Sequence, residues 1–323
     1  MRVLGMGNAL VDVIIRLEDE KLLDQLRLPK GSMHHVDEAG LAELDKATAN
    51  LEKTWVVGGS AANAIYGLAE LGMQTGFVGS AGRDPWGDFY IEDLISKDIR
   101  PFFYRSVKPT GRANALLTPD GERTFGTYLG AALELGPDFI TADLFVGWTL
   151  FHIEGYLVQN QDLIYKALEM AKDAGCIVSL DLASYNVVEE NLGFLKIVLP
   201  RFVDLVFANR EEAYAYTGKG PEEAVDSLAS ECLVGIVKNS EKGAWVKSGD
   251  EKHEVPAFKA DCIDTTGAGD LFATGFLYNY LRGEPLRTCA VYGNILASRI
   301  IETLGPKLSS GVWQELRPDI QKA

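Results

Sequence analysis

Cysteine and histidine are scarce in this chain of 323 residues, with four of each. The cysteines (Cys176, Cys232, Cys262 and Cys289) come no closer together than the 27 positions separating Cys262 from Cys289. No CxxC pair is available for metal or redox chemistry and no exported disulfide framework is suggested, so a reducing cytoplasm fits best. The histidines (His34, His35, His152 and His253) show no metal-ligand spacing. Positive charge is also short: 31 Lys and Arg stand against 46 Asp and Glu, a formal charge of −15. Binding to nucleic acid or an anionic membrane needs clustered cations, so neither is an expected partner. The apolar stretch at residues 3–11 is interrupted by Asn8 and closed by Asp12. No run approaches the roughly 20 residues that cross a bilayer, and no signal peptide is visible. A phosphate loop of the type GxxxxGK followed by Ser or Thr is missing, since Gly218-Lys219 is followed by Gly220.

What is present is ordinary globular composition, 47% hydrophobic and 24% charged, enough to bury a sizeable core. No repeat, low-complexity tract or Pro/Ser linker divides it, so residues 1–323 read as one domain. Apolar β-rich runs alternate with helical patterns. Strands are expected at residues 3–7, 75–78, 144–153, 176–182, 205–208 and 234–238. Helices are expected at 61–71, 86–96, 161–172, 210–216 and 222–230, the second begun by Asp84-Pro85. Buried parallel strands joined by crossover helices predict a three-layer α/β/α fold around a doubly wound, mostly parallel sheet. Two regions break the rhythm. Residues 100–130 hold Phe102-Phe103-Tyr104 and a hairpin pattern around Pro119-Asp120-Gly121, and residues 13–57 offer short strands around a small helix. Parts of both are read as a small antiparallel β lid over a substrate cleft.

The most informative segment is Asp264-Thr265-Thr266-Gly267-Ala268-Gly269-Asp270, followed at once by an apolar helical start. Small residues at a helix N-terminus leave several backbone N–H groups pointing one way with the helix dipole behind them, which makes an anion cradle for phosphate. Asp270 would repel that anion, so its presence makes sense as a base that takes a proton from a hydroxyl attacking phosphorus. The plainer reading is a glycine-rich N-cap with a first-turn carboxylate. Asn8 and Asp12 end the first strand region and can hydrogen-bond vicinal hydroxyls, although Asn and Asp also serve ordinary turns.

The heptapeptide resembles the C-terminal signature of the ribokinase-like (PfkB) family of carbohydrate and nucleoside kinases. Gly58-Gly59-Ser60-Ala61-Ala62-Asn63 resembles its N-terminal signature, GG-x3-N, and the two occur in the expected order about 200 residues apart. The resemblance covers nearly the whole chain and implies ATP-dependent transfer of the γ-phosphoryl group to an alcohol, with Mg²⁺. It implies Asp270 as catalytic base, and the backbone of Thr266, Gly267, Ala268 and Gly269 as the anion hole. Asn209-Arg210-Glu211-Glu212 resembles the N-x-x-E motif that organises Mg²⁺ through water, although Asn209 and Glu212 also suit a helix capping box. Asp12, with Gly58, Gly59 and Asn63, is implied on the acceptor side. Arg123 is a candidate to carry positive charge toward substrate or phosphate. Lys238, Ser240 and Gly243 correspond to a segment lining the nucleotide, and Asn294 to a helix near adenine. Asp264 and Thr266 stand where some members bind a monovalent cation such as K⁺.

The acceptor is expected to be a small sugar or nucleoside. The strings at residues 5–12, 21–30, 57–63 and 127–132 look more like adenosine kinases than fructokinases, while Thr266 replaces the Asn those kinases commonly carry. An adenosine-like or ribose-like acceptor is therefore favoured, with a kinase for fructose or a sugar acid as the alternative. A noncatalytic sugar- or nucleotide-sensing protein is more remote, since it would be expected to lose Asp270 or its glycines. Gly5-x-Gly7-x-x-Leu10 lacks the third small residue of a dinucleotide fingerprint. The chain is expected to be a monomer or a homodimer paired through the lid.

Overall fold

The computed structural model describes residues 1–120 and 122–322; Gly121 of the expected turn lies outside the described residues. Nine strands form the main sheet, in the order Glu251–Val255, Ala244–Ser248, Val234–Lys238, Leu205–Asn209, Ile177–Asp181, Leu150–Glu154, Arg2–Met6, Gln74–Gly82 and Ile99–Ser106. The seven from Val234–Lys238 onward run parallel, and the first two form an antiparallel hairpin on one edge. Residues 205–208 of the strand Leu205–Asn209 are apolar without a break because both faces are covered. Val3 packs into one hydrophobic cluster and its neighbour Leu4 into the other. One cluster is closed by the helices Ser60–Glu70, Ala268–Leu281 and Leu286–Ile300, the other by Gln161–Asp173, Leu192–Phe202 and Pro221–Glu231.

A second sheet runs Met33–His35, Arg123–Tyr128, Gly111–Leu117, Leu10–Arg16, Lys53–Gly58. It is mixed rather than antiparallel: Leu10–Arg16 pairs parallel with Gly111–Leu117, and Met33–His35 with Arg123–Tyr128. The first of these pairings follows from connectivity. Leu10–Arg16 leaves the main-sheet strand Arg2–Met6, and Gly111–Leu117 leaves Ile99–Ser106, each through a short link, so both exit the same way. Phe102, Phe103 and Tyr104 therefore belong to the main sheet. Phe103 packs there against Phe77 and Tyr90, with ring centroids 6.1 and 5.5 Å away. The expected strand at 144–153 is shorter, because a 3₁₀ turn Ala142–Phe145 and Gly147, at φ +77°, precede Leu150–Glu154. Among the described residues no helix is long and apolar enough to cross a membrane.

Candidate active site

Four neighbouring parallel strands end in polar residues at the same edge of the sheet: Glu154, Asp181, Asn209 and Lys238. The carboxyl ends of parallel strands are where open α/β sheets bind ligands. Asp181 Oδ2 accepts from Lys238 Nζ at 2.6 Å, with both side chains largely buried. Asn209 caps the helix Arg210–Thr217: its Oδ1 accepts from the Glu212 N–H at 2.8 Å, and Glu212 Oε2 accepts from the Asn209 N–H at 2.7 Å. Burial, reinforced by Asp181, pushes the Glu212 carboxyl up to about 7. Glu154 is buried and accepts from the backbone N–H of Asn8 (2.9 Å) and of Ala61 (3.0 Å). Burial lifts it to about 7 as well.

The helix Ala268–Leu281 points its N-terminus at these strand ends. Gly267 is its N-cap with φ +81°, a left-handed conformation that favours glycine. A Cβ at Gly269 would lie 3.1 Å from Lys238 Nζ, so the cation and the small-residue turn share one space. Asp270, in the first turn, is gripped on both oxygens: Oδ1 accepts from Ser60 Oγ (2.7 Å) and Oδ2 from Asn63 Nδ2 (2.8 Å). Burial raises it to about 6, against those two hydrogen bonds. A carboxyl poised there is ionised at neutral pH yet still basic enough to accept a proton.

On the other side stand the residues of the small sheet. A Cβ at Gly58 would fall 2.4 Å from Asp12 Oδ2, so the carboxylate rests against that glycine. Gly59, at φ +100°, approaches Asn8 O so closely that a Cβ would sit 2.3 Å away. Asp12 is pushed up to about 7 by burial, with Lys307 and Arg123 pulling it down and Asp270 pushing it up. Oδ1 of Asn8 and Oδ1 of Asn63 are buried with no partner among the described residues, as is Arg123 Nη2. Buried polar atoms of this kind are normally hydrogen-bonded, so each of the three has capacity for a further polar partner. Arg123 Nη1 reaches across to Asp264 Oδ2 at 2.7 Å.

Residues 38–311 match the sequence model of the pfkB family of carbohydrate kinases. The chain belongs to that family. Among solved structures it is similar to a probable sugar kinase from Rhizobium etli CFN 42, at 32% identity over 98% of both chains with a TM-score of 0.86. It is also similar to the adenosine kinase from Sinorhizobium meliloti, at 33% identity over 98% of both with a TM-score of 0.85. An uncharacterized sugar kinase of Archaeoglobus fulgidus is 28% identical over 252 residues, 75% of this chain and 96% of that protein. The chain is thus a phosphotransferase with an alcohol as acceptor, and kinases of this family use ATP, generally with Mg²⁺.

Within this PfkB kinase the remaining nucleotide-side candidates stand apart. Ser240 opens the one-turn 3₁₀ segment Ser240–Lys242 after Lys238 and Gly243 follows it, where a Cβ on Gly243 would strike Val255 O at 2.0 Å. Asn294 donates its amide NH₂ to the carbonyls of Val255 and Pro256, both at 3.1 Å, which ties its helix to the end of the edge hairpin. Three neighbours of the site carry no sequence motif that singles them out: Ser60, Glu154 and Asp181. The last two could have been found as single acidic residues closing apolar strands, LFHIE and IVSLD.

Proposed function

We propose that this kinase transfers the γ-phosphoryl group of ATP to a primary hydroxyl of a nucleoside or ribose-like acceptor, acting as a cytoplasmic enzyme. The observation that carries the reading is Asp270, held by Ser60 and Asn63 beside the N-terminal turn at residues 264–269 and electrostatically coupled to Asp12. In it, Asp270 takes the proton of the attacking hydroxyl, and the backbone N–H groups of Gly267 and Gly269, with that of Ala268 once it leaves Thr265 O, to which it donates at 3.2 Å, meet the charge that develops on the transferring oxygens. Asp12, Asn8 and Asn63 orient the acceptor through its hydroxyls, and Gly58 and Gly59 let it approach the backbone.

Lys238 and the turn backbone would hold the ATP phosphates, with Ser240, Gly243 and Asn294 on the nucleotide side. Among the described residues no three His, Cys, Asp or Glu side chains converge as a metal cage. Glu212, poised by Asn209, suits a hydrated Mg²⁺ held through water. Bound Mg²⁺ and ATP supply the phosphoryl electrophile and neutralise its charge.

The small sheet favours a nucleoside. In register, Asp12 lies opposite Val56 and Ala113, Ile14 opposite Ala115, Ala115 opposite Phe125, and Leu117 opposite Arg123. Directly opposed residues share a face, so Asp12 and Arg123 sit on an apolar wall of Ile14, Val56, Leu117 and Phe125, all half-buried. A flat apolar wall suits a base better than a second hydroxylated ring. A sugar acid is the second reading, resting on Lys307, whose charge favours ionised Asp12 while its Nζ stands 3.6 Å from Asp93 Oδ2. An ATP-consumption screen over nucleosides, ribose, fructose and sugar acids decides. Highest kcat/KM with an adenosine-like nucleoside is expected, and preference for fructose or a sugar acid would reverse the assignment.

A further inference from the structure

The surroundings of Asp264 do not fit the monovalent cation that the sequence resemblance implies there. Its Oδ1 accepts from the Thr266 N–H (3.1 Å) and the Thr266 hydroxyl (2.8 Å). Its Oδ2 accepts from the Gly305 N–H (2.7 Å) and from Arg123 Nη1 (2.7 Å). A carboxylate has about four lone-pair sites, and all are in use. The positive charge at this carboxylate is the guanidinium, delivered from the small sheet to a loop of the main domain. Both side chains are largely buried, 16% exposed for Arg123 and 9% for Asp264, so solvent screens the pair weakly. Asp264 lies three positions before Gly267, the N-cap that opens the anion cradle. The second guanidinium nitrogen, Nη2, is buried and unpartnered among the described residues.

We propose that Arg123 is a positioning residue that serves as this enzyme's internal monovalent cation: paired with Asp264, it fixes the Thr266 turn that shapes the anion cradle, so phosphoryl transfer needs no K⁺. The inference rests on the kinase reading above. It also ties the cradle to the small sheet, since the cation arrives only when that sheet stands over the site.

The test compares the wild-type chain with Arg123→Ala and Arg123→Lys in K⁺, Na⁺ or tetramethylammonium buffers of equal ionic strength. Acceptor phosphorylation and, separately, ATP binding by calorimetry are read. Wild type is expected to keep the same kcat and ATP Kd in all three. Arg123→Ala is expected to lose about tenfold to a hundredfold in tetramethylammonium, the worth of a hydrogen bond between charged groups, and to regain rate with K⁺ or free guanidinium. Arg123→Lys keeps the charge and should stay indifferent to K⁺. A wild type that depends on K⁺, or a folded Arg123→Ala whose loss ignores both K⁺ and guanidinium, overturns the proposal. If Arg123→Ala does not fold, the wild-type and Arg123→Lys comparisons decide. A chain that phosphorylates nothing in any buffer fails the kinase reading instead, while ATP binding still reports the ion response.

Discussion

A methyl group added at Gly58 would land 2.4 Å from Asp12 Oδ2, 2.5 Å from its Cγ and 2.6 Å from its Oδ1. Gly58 closes the edge strand Lys53–Gly58, pairs with Leu10, and accepts the Tyr90 hydroxyl on its carbonyl at 2.9 Å. It is not among the positive-φ glycines, so alanine meets no backbone strain there. Gly58→Ala should therefore fold, and the Asp12 carboxylate must swing aside. Each hydrogen bond from a hydroxyl to a charged group is worth about 1.5–3 kcal/mol, so losing one lowers acceptor kcat/KM by roughly tenfold to a hundredfold. ATP Kd should hold, because the nucleotide-side groups are untouched. Gly136→Ala, where a Cβ meets nothing within 4 Å, is the matched control. Steady-state kinetics with the acceptor varied, nucleotide binding and a melting curve on one preparation give the answer. Unchanged acceptor kcat/KM in a folded Gly58→Ala would refute the placement of Asp12 against the acceptor.

Other outcomes follow from the same geometry. Glu154→Gln sets an amide NH₂ against one of two backbone donors, Asn8 N–H or Ala61 N–H, so it should cost about 1–3 kcal/mol in a denaturant titration and raise acceptor KM. Asp12 and Asp270, lifted to about 7 and about 6, must both be ionised, so acceptor kcat/KM should fall as pH drops through about 7. Asp12→Asn should leave only the limb near 6, which a pH–rate profile resolves. Stability should move the opposite way. Asp12, Glu154, Glu212 and Asp270 bind protons more tightly folded than unfolded, so stability rises as pH falls from about 8 toward their ordinary carboxyl values. Buried His152, pushed down to about 4, opposes this below its ordinary value of 6.5, and buried Lys307, pushed down to about 8, opposes it near pH 8, because in both cases the unfolded chain protonates first. Four groups against two, with Lys307 acting only at the upper end of the range, predicts a higher melting temperature for the unliganded protein at about pH 6 than at about pH 8; the reverse order would show these carboxyls are not buried as described.

The alternation of apolar strand and helix was legible because parallel strands buried on both faces, such as residues 234–237, carry a run without polar side chains. The glycine turn before Asp270 was legible because small residues directly ahead of an apolar helix leave a row of unhindered N–H groups at its start, whatever the rest of the fold does. Pairing direction in the small sheet was not, since it depends on how Leu10–Arg16 and Gly111–Leu117 leave the main sheet. Phe102 and Phe103 misled because an aromatic run beside a hairpin gives no hint of which sheet receives it. Partners distant in sequence, Ser60 with Asp270 and Arg123 with Asp264, are 210 and 141 positions apart, and no local pattern carries such a pairing.

Asp270→Asn tests most directly whether Asp270 accepts the acceptor's proton. An amide there can still accept from Asn63 Nδ2, and its NH₂ can donate to the Ser60 hydroxyl, which rotates to accept. The fold and the cradle should survive. General-base assistance is worth about 10²–10⁴ in rate, so kcat should fall by that much while ATP Kd holds or tightens with one negative charge removed. A variant that keeps more than about a tenth of wild-type kcat, below the range of base catalysis, would contradict the account and leave Asp270 as a first-turn carboxylate of its helix.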